Sequence, residues 1–441
     1  MTAEKYDVGI VGLGYVGLTL ACAMADVGLK VIGIEKRPDV VEATRNGKPH
    51  FSEVGLEKVL ARVIGNGCLT VAEEFSPDMS CDSYVITVGT PLGADGVVRL
   101  DMIERAAGQV AENMQDGALV VLRSTVKIGT TRNVVAPVIA AGGRTFEIAM
   151  CPERTLEGNA MQELRELPQI VGADTEKARD RAAALFGVLT NTTIRVSSLE
   201  TAEIIKLVDN TSRDVGFAFA NEVARLCDAV GVNGYEVINS GKLGYKRTNL
   251  PLPGLVGGPC LEKDPHILWQ SAKELSVDLE ITRSARQVNE RQPMETVGFV
   301  AREIGRRGLP EDAPVSVLGM AFKGVPETDD LRGSMSLKVV EALKQVLPKV
   351  PITVYDPVAA PDMLNSYLTG CRIAETFDDA VADAAVVIIA NNHPDLGMRA
   401  PKDLQDVLHP DGFIYDYWNH FSKLSASEQG KSYFAVGNAK G

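Results

Sequence analysis

Glycines at positions 12, 14 and 17 follow a β-rich run, Asp7–Val11, and open a helical stretch, Gly17–Val27. This restricts the start of the chain to a strand, a tight turn and a helix packed back on the strand. The first glycine permits the turn, the second lets a pyrophosphate approach the backbone, and the third lets helix pack on strand. With Tyr15 and Val16 in the turn, the helix start offers N–H groups to phosphates. A second strand, Lys30–Ile34, leads to Glu35, where a carboxylate meets ribose hydroxyls and repels a 2′-phosphate. The expected cofactor is NAD, although Lys36 and Arg37 pull toward NADP. The uncharged span Val8–Ala25 also fits a signal peptide or membrane helix. Gly9, Gly12, Gly14 and Gly17 interrupt it, and Glu4 and Asp7 flank its start, so strand–turn–helix is the expectation.

The β-α rhythm continues through Ser83–Val88, Ala118–Leu122 and Phe146–Met150, which implies a parallel sheet covered on both faces. It stops near residue 198. Leu199–Val230 has helical periodicity without proline, and Ala202, Ile205, Val208, Phe219, Val223 and Leu226 line one broad face. Such a length exceeds an ordinary surface helix of ~10–14 residues and suits a domain-spanning or interface helix. A Pro/Gly-rich loop (241–265) and a helical stretch from His266 through the Arg302 region follow. The rhythm returns at Pro314–Leu318, Pro351–Tyr355, Ala385–Ile389 and Phe413–Tyr415. The expected fold is α/β: two Rossmann-like doubly wound domains, 1–198 and 306–441, joined by a helical middle domain, 199–305.

At 441 residues the chain exceeds one core, given the usual ~100–200 residues per domain. A net charge of −13 disfavours nucleic acid and anionic membranes as partners. Cysteines at 22, 68, 81, 151, 227, 260 and 371 form no Cys-x-x-Cys, and the histidines are scattered. No disulfide framework or metal site is expected, and a cytoplasmic location fits.

One thiol stands apart. Cys260 lies in Gly257-Gly258-Pro259-Cys260-Leu261-Glu262-Lys263-Asp264, with a cation and a carboxylate close behind. A positioned thiol beside a redox cofactor suggests an alcohol oxidised to an aldehyde, trapped on sulfur, and oxidised again to an acid. Cys22, Cys81 and Cys227 read as small buried hydrophobes.

With these pieces placed, the chain resembles the UDP-glucose/GDP-mannose dehydrogenase family over nearly its whole length. The ordered series is Val88-Gly89-Thr90-Pro91, Ser124-Thr125-Val126, Pro152-Glu153-Arg154, Ala202-Glu203-Ile204-Ile205-Lys206, Asn210, the Gly257–Asp264 block, Leu318-Gly319-Met320-Ala321-Phe322-Lys323 and Asp329-Asp330-Leu331-Arg332. Arg247-Thr248-Asn249 ahead of Leu252-Pro253-Gly254, and Cys151-Pro152-Glu153-Arg154, resemble the branch acting on UDP-N-acetylmannosamine or UDP-N-acetylglucosamine. Leu156 stands where enzymes acting on UDP-glucose carry arginine. The Lys263-Asp264 pair points back toward the UDP-glucose enzymes, and Pro259 replaces the usual Ser or His.

The resemblance implies two successive NAD-dependent oxidations at the sugar C6, through a Cys260 thiohemiacetal and thioester. It makes Lys206 and Asn210 oxyanion stabilisers; their spacing puts them on one helix face. It makes Glu153 the base for thioester hydrolysis, with Thr125 and Asp264 ordering a water or relaying a proton. Thr90, Thr125 and Lys263 join the cofactor set. Arg154, Arg247, Asn249, Gly257, Phe322 and Lys323 join Glu153, Lys206 and Asn210 around the UDP-sugar, and Arg332 is a cross-subunit candidate. A homodimer or dimer of dimers through the long helix is expected. Competing readings are a UDP-glucose 6-dehydrogenase, a single-step hydroxyacid dehydrogenase, and a non-catalytic sensor of NAD and nucleotide sugar.

Overall fold

The computed structural model describes residues 4–424, 426–430 and 432–438. The chain forms two compact units, Met1–Asp209 with His266–Asp278, and Asn210–Pro265 with Leu279–Gly441. The division falls inside one continuous helix, Leu199–Val230.

The first unit is built on an eight-stranded sheet ordered β3-β2-β1-β4-β5-β6-β7-β8. Its strands are β1 Glu4–Val11, β2 Val31–Ile34, β3 Leu69–Ala72, β4 Met79–Ile86, β5 Ala118–Leu122, β6 Phe146–Met150, β7 Gln169–Gly172 and β8 Thr193–Val196. All neighbours are parallel except β6 and β7, which meet antiparallel at Met150 and Gly172. The two-residue period of a strand divides its apolar side chains between two cores. In β5, Leu119 and Val121 join one core, while Ala118, Val120 and Leu122 join the other. The span that also reads as a membrane segment is β1, a turn and the helix Tyr15–Asp26. No described helix is long and apolar enough to cross a membrane.

The second unit holds a six-stranded parallel sheet ordered β11-β10-β9-β12-β13-β14. Its strands are β9 Val315–Leu318, β10 Ile352–Tyr355, β11 Arg372–Ile373, β12 Val386–Ile389, β13 Phe413–Asp416 and β14 Tyr433–Ala435. Both sheets thus share the doubly wound 3-2-1-4-5-6 order, in which ligands sit beyond the carboxyl ends of the strands. They differ at the first turn. After β1 the helix begins at Tyr15, across residues 12–14; after β9 the next helix begins only at Met335, beyond a loop spanning 319–334.

Candidate active site

The glycine turn of the first unit has the shape a dinucleotide needs. Gly12 adopts φ +94°, closed to most side chains, and a Cβ on Gly17 would fall 1.8 Å from the Gly12 carbonyl oxygen. A Cβ on Gly14 would meet nothing within 4 Å, so the space above the middle glycine is open. Gly14 caps the helix Tyr15–Asp26 without a side chain, and the first turn carries no acid, which suits a phosphate. Glu35 accepts the N–H of Leu13 and of Arg37, each at 3.0 Å, so this carboxylate braces the turn. Lys36 pairs with Glu74 at 2.8 Å. The residues present fit NAD.

Tyr15 does more than line this turn. Its hydroxyl bonds to the buried Glu53, which also accepts the N–H of Gly158 at 2.7 Å and of Ala160 at 2.9 Å. The cofactor turn is thereby tied to the loop that carries Glu153. The loops after β4 and β5 are joined as well: Thr90 Oγ1 donates to the Thr125 carbonyl, and Ser124 Oγ to the Val88 carbonyl at 2.6 Å. Thr125 caps no helix, since the next helical turn starts at Thr131 behind Thr130.

Glu153 is buried and held from four sides. Arg123 donates to its Oε2 through Nε at 2.9 Å and through Nη2; the N–H groups of Arg154 and Thr155 reach Oε1 at 2.7 and 2.8 Å. Burial pushes the carboxyl pKa up, but the Arg123 guanidinium, the hydrogen bonds and Lys206 outweigh it, and the net shift is downward. Glu153 is a fixed carboxylate. Arg123 itself is only 2% exposed and spends Nη1 on the Cys151 carbonyl and Gln169. Arg154 donates to the Pro168 carbonyl at 2.6 Å. Lys206 is buried on the long helix. Three residues before it, buried Glu203 accepts the N–H of Gly129 and Thr131 and the Thr131 hydroxyl, fixing the segment after Thr125 to that helix.

The second unit holds the thiol. Cys260 is exposed on a one-turn helix, Gly258–Leu261, whereas Cys22, Cys81 and Cys151 are buried, which pushes their thiols up to about 12. Burial also raises the Cys227 thiol, with Asp228 adding to it. The glycine pair has a packing reason. A Cβ on Gly257 would lie 2.4 Å from the Gly333 carbonyl oxygen, and one on Gly258, at φ +87°, would lie 2.3 Å from the Phe322 ring. The Gly258 N–H donates to the Gly333 carbonyl at 2.7 Å. Only glycines let the thiol-bearing turn sit directly on the loop after β9.

Asp264 is fully buried; Asn210 donates to its Oδ2 at 2.6 Å and Lys263 to its Oδ1 at 2.9 Å. Burial works against the Lys263 charge, yet Asp264 and Cys260 outweigh it and raise the lysine's pKa. Lys323 lies over the Phe322 ring at 5.3 Å. Arg247 and Asn249 lie on an exposed segment, with the Arg247 guanidinium over Tyr245 at 5.0 Å. Arg332 forks onto Asp330 of its own loop, both nitrogens within 2.9 Å. Sequence reasoning missed Arg123, Glu53 and the buried Arg286; the available signal was position, since Arg123 directly precedes Ser124-Thr125.

Comparison with known proteins agrees with this geometry. Three models of the UDP-glucose/GDP-mannose dehydrogenase family match in order: the NAD binding domain over residues 6–190, the central domain over 200–291 and the UDP binding domain over 316–423. A UDP-N-acetyl-D-mannosamine dehydrogenase of Pyrococcus horikoshii is 34% identical over 88% of this chain and 90% of its own. The solved structure of UDP-D-ManNAc dehydrogenase from that organism covers 99% of this chain and 100% of its own, at 32% identity and a TM-score of 0.87. A UDP-glucose dehydrogenase of Pyrobaculum islandicum, 28% identical, covers 99% and 98% with a TM-score of 0.85. Backbone likeness therefore fixes the enzyme class more sharply than the sugar. The chain belongs to the UDP-glucose/GDP-mannose dehydrogenase family and is an NAD-dependent oxidoreductase acting on a UDP-sugar.

Proposed function

We propose that this protein oxidises the C6 hydroxyl of UDP-N-acetylmannosamine, or of its epimer UDP-N-acetylglucosamine, to the carboxylate. The observation that carries the reading is the placement of Cys260, exposed and rigidly seated beside Lys263 and Asp264. The name borne by the mannosamine relatives and the runs Arg247-Thr248-Asn249 and Cys151-Pro152-Glu153-Arg154 support an acetamido sugar over glucose.

Bound NAD would accept a hydride from C6 at each oxidation. The Cys260 thiolate adds to the C6 aldehyde, forming a C–S bond and moving the carbonyl π pair onto oxygen. Lys206 and Asn210 stabilise that oxyanion, a contribution that is large when donors are already in place. The second oxidation leaves a thioester on sulfur. Water then attacks the carbonyl carbon, losing a proton toward Glu153, and the C–S bond breaks to return the thiolate. Thr125 and Asp264 order the water or pass its proton. Tyr15, Val16, Glu35, Thr90, Thr125 and Lys263 serve the cofactor; Arg154, Arg247, Asn249, Gly257, Phe322 and Lys323 serve the UDP-sugar. Segments 1–198, 199–305 and 306–441 divide cofactor binding, subunit contact and UDP binding. Seven scattered cysteines with no Cys-x-x-Cys among them suit a reducing cytoplasm. The exposed apolar residues Phe219, Leu226 and Val230 suit a homodimer or dimer of dimers.

The test is NADH release on a panel of UDP- and GDP-sugars. Two NADH per acid formed, fastest with an acetamido sugar, is the expected result. One NADH with a ketone product overturns the reading, as does acid formation by Cys260→Ala.

A further inference from the structure

We propose that Arg286 is a positioning residue for the nucleophile, gripping both ends of the turn that carries Cys260. The inference rests on Cys260 being the nucleophile. Arg286 lies on the helix Glu280–Glu290 and is only 3% exposed. Its Nη2 donates to the Val256 carbonyl at 3.0 Å, and its Nη1 to the Leu261 carbonyl at 2.8 Å. Those carbonyls bracket Gly257-Gly258-Pro259-Cys260. Nη1 also donates to Asp214 Oδ1 at 2.6 Å, while Nε lies 3.3 Å from Glu290. Asn289 fixes Asp214 in turn, donating to its Oδ1 at 2.9 Å and its carbonyl at 3.0 Å.

A single helical turn that starts with glycine does not hold its own shape, because nucleating a helix costs more than one turn returns. Its geometry must come from outside. A guanidinium supplies two nitrogens in a rigid plane and can hold two carbonyls at once; an ammonium is one point on a flexible stem. Buried among carbonyls, the cation needs a counter-charge, and Asp214 provides it.

The clamp serves one half of the reaction. Taking the C6 alcohol to the aldehyde needs no sulfur. The second oxidation does: sulfur bonds to C6, the carbonyl pair moves to oxygen, and its return expels the hydride to NAD and leaves the thioester. Displacing sulfur should therefore stall the enzyme at the aldehyde.

The experiment compares Arg286→Lys and the double variant Asp214→Asn/Arg286→Met, which removes both buried charges, with wild type and Cys260→Ala. Single-turnover NADH formation is followed, and free aldehyde is trapped with hydroxylamine. Both Arg286 variants should keep the first-oxidation rate and the KM for NAD. The second oxidation should slow about a hundredfold, the loss expected for a reacting atom displaced by about 1 Å, with trapped aldehyde rising to match. A general structural role would depress both oxidations together. A second oxidation at the wild-type rate in Arg286→Lys, or in the double variant if it melts as wild type does, overturns the inference while Cys260→Ala still stops at the aldehyde. If Cys260→Ala itself yields acid, the nucleophile assignment fails first.

Discussion

Arg123 and Arg286 are each almost wholly buried, and each donates to a loop that carries a candidate site residue, Glu153 for the first and Cys260 for the second. Sequence alone conceals such residues, because an arginine reads as a solvated charge until its partners are known. Cys260 was legible because glycines, proline, cation and carboxylate crowd one short run. Arg123 offers a prediction with a sign. In wild type, Glu153 has a lowered pKa, so the stability its pairing contributes is complete above the unfolded value of about 4.3 and fades as pH falls through the folded one. In Arg123→Met, burial of Glu153 loses its main opponent and should raise that pKa. The contribution should then be complete below about 4.3 and fade as pH rises. Breaking a buried pair costs about 3–5 kcal/mol near neutrality. Urea midpoints at pH 5 and pH 7.5 should therefore show a smaller deficit at pH 5. An equal deficit at both would show that Arg123 does not set the charge of Glu153.

At the scale of elements, the long helix Leu199–Val230 was readable end to end, because a proline-free apolar period over that length has few alternatives. The central strand β5 was readable for a related reason: a strand buried on both faces is an apolar run. β3, β7, β8, β11 and β14 were not read. They are two to four residues long, and β8 and β11 carry arginine and little apolar pattern. The helical stretch after His266 resolves into Asp264–Glu274, Glu280–Glu290 and Gln292–Arg307. Two glycine turns make contrasting predictions. Gly14→Ala places a methyl where no protein atom lies within 4 Å, so the melting temperature should hold while NAD affinity falls. Gly258→Ala drives a methyl into Phe322 at a positive φ and should cost about 1–3 kcal/mol from the backbone alone, together with turnover. Calorimetry and NAD titration separate the two. Unchanged NAD affinity in Gly14→Ala would remove the pyrophosphate from that turn.

At the scale of the molecule, the repeated doubly wound order and the family's three-part layout were visible in rhythm alone, whereas the sugar was not. Sheet topology is written in many residues; an acetamido preference is written in a few side chains on loops. The long helix leaves Phe219 58%, Leu226 64% and Val230 66% exposed, a large apolar outlay on one element. On the proposed homodimer, Phe219→Glu should give monomers in light scattering at micromolar concentration where the wild type gives a dimer or tetramer, and an unchanged mass would remove this face from the subunit contact. The two sheets also part company at their opening turns, where only the one after β1 leads straight into a helix. Among the described residues the protein therefore offers a single dinucleotide berth for a conversion that, on the mechanism proposed above, consumes two. On that mechanism the spent carrier must depart and a fresh one dock while the half-finished sugar waits, and the bond to sulfur would keep the aldehyde from drifting away in the interval.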